Sequence, residues 1–154
     1  MTRVAAIDCG TNSIRLLVAD GHIDENGRPQ LADLTRQMRI VRLGQGVDAR
    51  GYLDPAAIER TVEATVEYQR MIEALGATRT RFVATSATRD ASNSADFVRQ
   101  IKAVIGVEPE VVVGTEEASL SFNGAVGGLG ESVTAPMLVV DIGGGSTELV
   151  LGAT

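Results

Sequence analysis

The chain has 154 residues, 44% of them hydrophobic and 3% aromatic, with no tryptophan and a formal net charge of −6. That length fits one domain burying roughly 70% of its unfolded surface, around a core of Val, Ile, Leu and Ala. An acidic balance without a basic block, and so few aromatic rings, exclude a long electrostatic or base-stacking footprint on nucleic acid.

Val4 to Cys9 is a short apolar run ended by Gly10, the pattern of a buried strand. After "GTNS" a second strand runs from Ile14 to Asp20, and Leu31 to Val41 reads as a third. "RLGQGVDARGYLD" is glycine-rich and predicts a loop. Asp54-Pro55 is a helix start, with Asp as N-cap and Pro at the first helical position. The helix continues through Ile58, Val62, Thr65/Val66, Gln69 and Ile72/Met71 to Leu75, and Gly76 stops it. "RFVAT", Arg81 to Thr85, predicts a strand, "SATRDASNS" a loop, and Ala95 to Ile105 a second helix closed by Gly106. Glu110 to Val113 reads as a strand, and Gly114-Thr115 opens a third helix over "EEASLSFNGAVGGL". "GLGESVTAP" is a linker, and Met137 to Val140 is the last strand before a glycine turn. A β-meander followed by strand–helix alternation predicts an α/β layered fold.

One cysteine, Cys9, allows no internal disulfide and fits a reducing compartment, where a small buried thiol is its expected state. "MTRVAAIDCG" has no long apolar stretch, and no run approaches the ~20 apolar residues of a membrane span. A cytoplasmic protein without membrane attachment is expected.

Two segments share one frame. "VAAIDCGTNSIRLLVADG" and "LVVDIGGGSTELVLG" both read as apolar strand, Asp-x-Gly-x-x-Ser, apolar strand. Asp8, Gly10 and Ser13 match Asp141, Gly143 and Ser146. A generic hairpin more often turns on Asn-Gly or Asp-Gly, whereas a glycine-rich turn exposes successive N–H groups and lets backbone approach a phosphate. An Asp at the strand end can hold a hard cation such as Mg²⁺. Either loop alone is equally an ordinary glycine turn; the pair in one frame points to a phosphate clamp.

Strand–Asp-x-Gly-x-x-Ser–strand, used twice around a helix-bearing segment, resembles the phosphate motifs of the actin, sugar-kinase and heat-shock-chaperone ATPase superfamily. Within it, "AAIDCGTNSIRLLVA", "RLGQGVDARGYLDPAAIERT", "ATSATRDASNSADFV", "GTEEASLSF" and "VVDIGGGSTELVLG" resemble the exopolyphosphatase/guanosine pentaphosphate phosphohydrolase (Ppx/GppA) family. The resemblance runs in order from Ala5 to Gly152. It implies a ribonuclease H-like lobe over residues 1–128, with a mixed sheet and flanking helices. Residues 129–154 would be a linker and the first hairpin of a second lobe, and the abrupt end reads as a domain cut, leaving a piece expected to hydrolyse poorly alone.

The resemblance also implies roles. Asn12 and Ser13 would bind phosphate in the first loop, and Gly143, Gly144, Gly145 and Ser146 in the second. Arg89 would hold phosphate oxygens through its planar fork. Asp141 would sit at Mg²⁺ or another divalent cation, with Asp8 and Glu148 beside it. Glu117 would be the general base for water. Read on the residues alone, Glu117 also suits the first turn of a helix, where acids favour the dipole. Arg89 equally reads as a solvated loop residue, and Glu148 as a strand's polar face. Ser119 departs from the family, standing where many relatives have Arg.

The reaction implied is release of terminal orthophosphate from inorganic polyphosphate or guanosine pentaphosphate, with guanosine tetraphosphate a further ligand. An ATP-dependent kinase or ATPase, and a non-catalytic sensor of these polyanions, are the competing functions. The last hairpin offers an exposed edge, so pairing into a homodimer is one expectation.

Overall fold

The computed structural model describes residues 1–25, 27–127, 129 and 134–152. Strands β1 (Thr2–Cys9), β2 (Ser13–Ile23) and β3 (Pro29–Ile40) form an antiparallel meander, with a register shift in β2 at Val18/Ala19. Strand β4 (Arg79–Ala84) pairs parallel to β1, and β5 (Glu110–Val111) parallel to β4. The five-stranded order is β3-β2-β1-β4-β5. This mixed α/β sheet is the ribonuclease H-like arrangement predicted above.

Helices α2 (Pro55–Leu75) and α4 (Ser94–Ile105) cover one face of the sheet. Asp54 caps α2 by accepting from the Ala56 N–H at 2.9 Å, and Gly76 ends it in the left-handed region. The buried stripe of α2 matches the predicted one at Ile58, Thr65 and Ile72 and departs from it at Val62 and Gln69. Ala57, Ile58, Thr61, Ala64, Thr65, Tyr68 and Ile72 face inward, while Val62 is only partly buried. Two threonines can displace valine here because their hydroxyls are satisfied within the helix. Thr61 donates to Ala57 O and Thr65 to Thr61 O, each at 2.8 Å. Tyr68 spans α2 and the sheet, donating to Ile14 O at 3.0 Å.

Two predicted loops contain a helical turn. Helix α1 (Val47–Arg50) lies between Gly46 and Gly51, both in the left-handed region. Helix α3 (Ser86–Arg89) forms because the Thr85 carbonyl accepts from the N–H groups of Thr88 and Arg89, at 3.0 and 3.1 Å. The predicted strand 110–113 pairs only at Glu110 and Val111.

Helix α5 (Gly114–Gly127) leads to a separate antiparallel pair, β6 (Met137–Ile142) and β7 (Thr147–Gly152). The predicted linker 128–136 falls largely outside the described residues. Alternation in β6 and β7 turns Val139, Asp141, Glu148 and Val150 inward, and leaves Leu138, Val140, Ile142, Leu149 and Leu151 exposed. Gly152 lies against the Phe122 ring of α5. Among the described residues, no helix is long and apolar enough to cross a membrane.

Candidate active site

The two Asp-x-Gly-x-x-Ser segments fold into the same loop. In the first, Gly10 N donates to Ser13 O at 3.0 Å; in the second, Gly143 N donates to Ser146 O at 2.9 Å. Each closes a hairpin, β1–β2 or β6–β7, so the frame seen in the sequence is also a frame in space.

The loops touch. A Cβ on Gly144 would stand 3.0 Å from the Asn12 Cβ, and one on Gly145 only 2.6 Å from Thr11 Oγ1 and 3.0 Å from Ser86 Oγ. The hydroxyls of Thr11 and Ser86 are themselves 2.8 Å apart, tying the first loop to the start of α3. The first loop is further pinned by the chain after β3: Val41 N and Arg42 N donate to Asn12 O, and Gly44 N to Thr11 O. Bare glycine backbone is what permits so close an approach.

Between the loops lies a cleft of about 260 Å³. Asn12, Ser13, Gly143, Gly144 and Ser146 line it from the loops, and Asp8, Asp141, Glu148 and Glu117 line it with carboxylates. Arg15, Thr85 and Ser86, not singled out from the sequence, line it too. Arg15 was within reach of sequence reasoning. Carried two residues past Ser13 and Ser146, the repeated frame pairs Arg15 with Glu148. The strand register agrees, since Asp8 faces Arg15 and Asp141 faces Glu148.

Arg89 is placed differently from the other candidates. Its Nη1 donates to Val112 O at 2.8 Å and reaches Glu117 Oε2 at 3.4 Å, and it is not among the residues lining the cleft. A larger groove of about 730 Å³ adjoins the cleft, sharing Asp8, Arg15, Thr85, Glu117 and Asp141. Its other arginines are already paired, Arg36 with Asp33 at 2.9 Å and Arg81 with Glu110 at 2.7 Å.

The carboxylates repel one another. Burial holds Glu117 above the usual glutamate range and the Glu148 charge adds to it, while bonds from Arg89 and Thr85 pull the other way. Asp8 is raised by loss of hydration, opposed by Arg15 at 3.8 Å and reinforced by Asp141. Cys9, beside this site, is buried, and burial together with the Asp8 charge pushes its thiol far above the reactive range.

Such crowding suits a divalent cation. Among the described residues, no group of three or more acidic, His or Cys side chains is placed to hold a metal ion. Mg²⁺ needs no such group, because it usually takes one or two carboxylates and keeps water and substrate phosphate oxygens as its other ligands. Hard oxygen donors on Asp8, Asp141 and Glu148, facing a cleft lined by N–H groups, fit that habit.

The Ppx/GppA phosphatase family model matches residues 21–154. The chain belongs to the Ppx/GppA family. Exopolyphosphatase 2 of Mycobacterium tuberculosis is 54% identical over 157 residues, covering 99% of this chain and 49% of that protein. The crystal structure of an exopolyphosphatase-like protein superposes with a TM-score of 0.90 at 47% identity, covering 99% of this chain and 45% of the other. The Ppx/GppA family member of Aquifex aeolicus superposes with a TM-score of 0.80 at 33% identity, covering 99% of this chain and 47% of that one. The chain thus spans about half the length of the curated exopolyphosphatase it matches. Within the Ppx/GppA family, the repeated loop frame and the cleft between its two copies are the features of this chain on which a function can be argued.

Proposed function

We propose that the cleft serves hydrolysis of a terminal phosphoanhydride, with inorganic polyphosphate as substrate and guanosine pentaphosphate as the alternative within the same chemistry. The observation that carries the reading is the convergence of Glu117, Asp8, Asp141 and Glu148 with both glycine loops on one small space. The similar M. tuberculosis protein, described as an exopolyphosphatase, supports it.

In this reading the N–H groups of the two loops, with Asn12, Ser13 and Ser146, hold the oxygens of the terminal phosphoryl group. Glu117 takes a proton from water as the water oxygen forms its bond to phosphorus. The anhydride P–O bond breaks, releasing orthophosphate and a polyanion shorter by one unit. Lifted above the usual carboxylate range, Glu117 is a stronger base than a solvated glutamate. Arg89 orients that base, and Arg15 attracts the anion at the cleft's rim. Asp141, with Asp8 and Glu148 alongside, would hold Mg²⁺, which would supply charge neutralisation for the phosphoryl oxygens.

The test is phosphate release from polyphosphate, guanosine pentaphosphate and ATP, by this chain and by a chain extended to its relatives' length. Release from polyphosphate that requires Mg²⁺ and falls with Glu117→Gln is expected. Binding of polyphosphate with no release by either chain would identify a sensor, and a preference for ATP would identify an ATPase.

A further inference from the structure

Helix α5 brings two polar side chains to the site, one turn apart. Glu117 is four residues before Ser121, so both share one face of the helix, and both are partly shielded from solvent. A serine inside a helix has a local outlet in the carbonyl four residues earlier. Ser121 instead reaches across to β6, where its Oγ donates to Asp141 Oδ2 at 2.7 Å. A charge-assisted bond of this kind is short and directional. Asp141 faces the cleft and stands opposite Glu148 in the β6–β7 ladder.

We infer that Ser121 is a positioning residue: its hydroxyl fixes the Asp141 carboxylate through Oδ2, leaving Oδ1 for a divalent cation. This rests on the cation-assisted hydrolytic reading of the cleft. Its consequence is geometric. One rigid helix sets both the base, Glu117, and the carboxylate that would meet the cation, so their separation is held by 1.5 Å of rise per residue over a single turn rather than by a loop. Outer partners of metal-binding carboxylates typically change metal affinity 10–100-fold when removed.

Mn²⁺ is the probe, titrated through the paramagnetic signal of the free ion against wild type, Ser121→Ala and Ser121→Thr. The Ala variant is expected to bind Mn²⁺ roughly 10–100-fold more weakly, and the Thr variant, which keeps the donor, to recover most of the affinity. In phosphate release the Ala variant needs correspondingly more metal, with its KM for polyphosphate unchanged. Equal Mn²⁺ binding by wild type and Ser121→Ala overturns the inference and leaves the hydrolytic reading standing. So does a loss in Ser121→Thr as large as in Ser121→Ala, which assigns the effect to packing. A wild-type chain that takes up no Mn²⁺ overturns the inference together with the cation-assisted part of the hydrolytic reading.

Discussion

One nitrogen of Arg89 joins the carbonyl of Val112 to the carboxylate of Glu117, at 2.8 and 3.4 Å. The arginine therefore braces the Glu117 carboxylate against the chain after β5 rather than offering its charge to the cleft. Arg89 lowers the Glu117 pKa against burial and Glu148, which raise it. Removing Arg89 lets it rise further. A base must be deprotonated to act, so the acid limb of kcat/KM is expected to move to higher pH in Arg89→Gln. The KM measured well above that limb should change little. A raised KM with an unmoved limb would instead make Arg89 a phosphate ligand.

Glu117→Gln separates activity from stability. If Glu117 is the general base proposed above, the variant is expected to lower phosphate release roughly 10²–10⁴-fold. The folded protein disfavours the Glu117 charge, since the pKa is raised in the fold. Its stabilising contribution is therefore complete below the unfolded value of about 4.3 and is lost as pH rises through the folded value. The neutral Gln should melt higher than wild type at pH 7, with the difference closing at acid pH where Glu117 is protonated. Lower melting of the variant at pH 7 would refute the sign.

Gly145→Ala tests the contact between loops. The added methyl would meet Thr11 Oγ1 at 2.6 Å and Ser86 Oγ at 3.0 Å, and neither hydroxyl can yield without breaking their mutual bond. Overpacking of this kind costs about 1–3 kcal/mol. Thr11→Ala removes one obstructing oxygen, so urea melts of the double variant should show less than the summed loss. Strict additivity would mean that the loops do not seat on each other this way.

Tyr68→Phe probes the tie between α2 and the strand that follows the first loop. It leaves the buried Ile14 carbonyl without its donor, at a cost of about 0.5–1.5 kcal/mol. Thermal melting should fall by roughly 2–4 °C per kcal/mol in a chain of this size. An unchanged melting temperature would show that another donor reaches the carbonyl.

Strand–turn–strand segments were legible because their apolar runs end on glycine, and α2 because Asp54, Pro55 and Gly76 punctuate it. Its buried face was legible only in part, since Thr61 and Tyr68 look polar until their hydroxyls find carbonyl partners. Helices α1 and α3 have four residues each, too few for a period to show. At the site, the matched loops announced themselves. Arg15 did not, because the shared frame ends at the serines and the positions two residues on carry opposite charges, and Ser121 did not, because a mid-helix serine carries no signal of what it faces across space.

The matched loops are not interchangeable. Where the first hairpin sets Arg15 opposite Asp8, the second sets Glu148 opposite Asp141. One wall of the cleft is thus nearly neutral and the other doubly acidic. The inversion of one charge makes a repeated backbone motif present two chemically different surfaces.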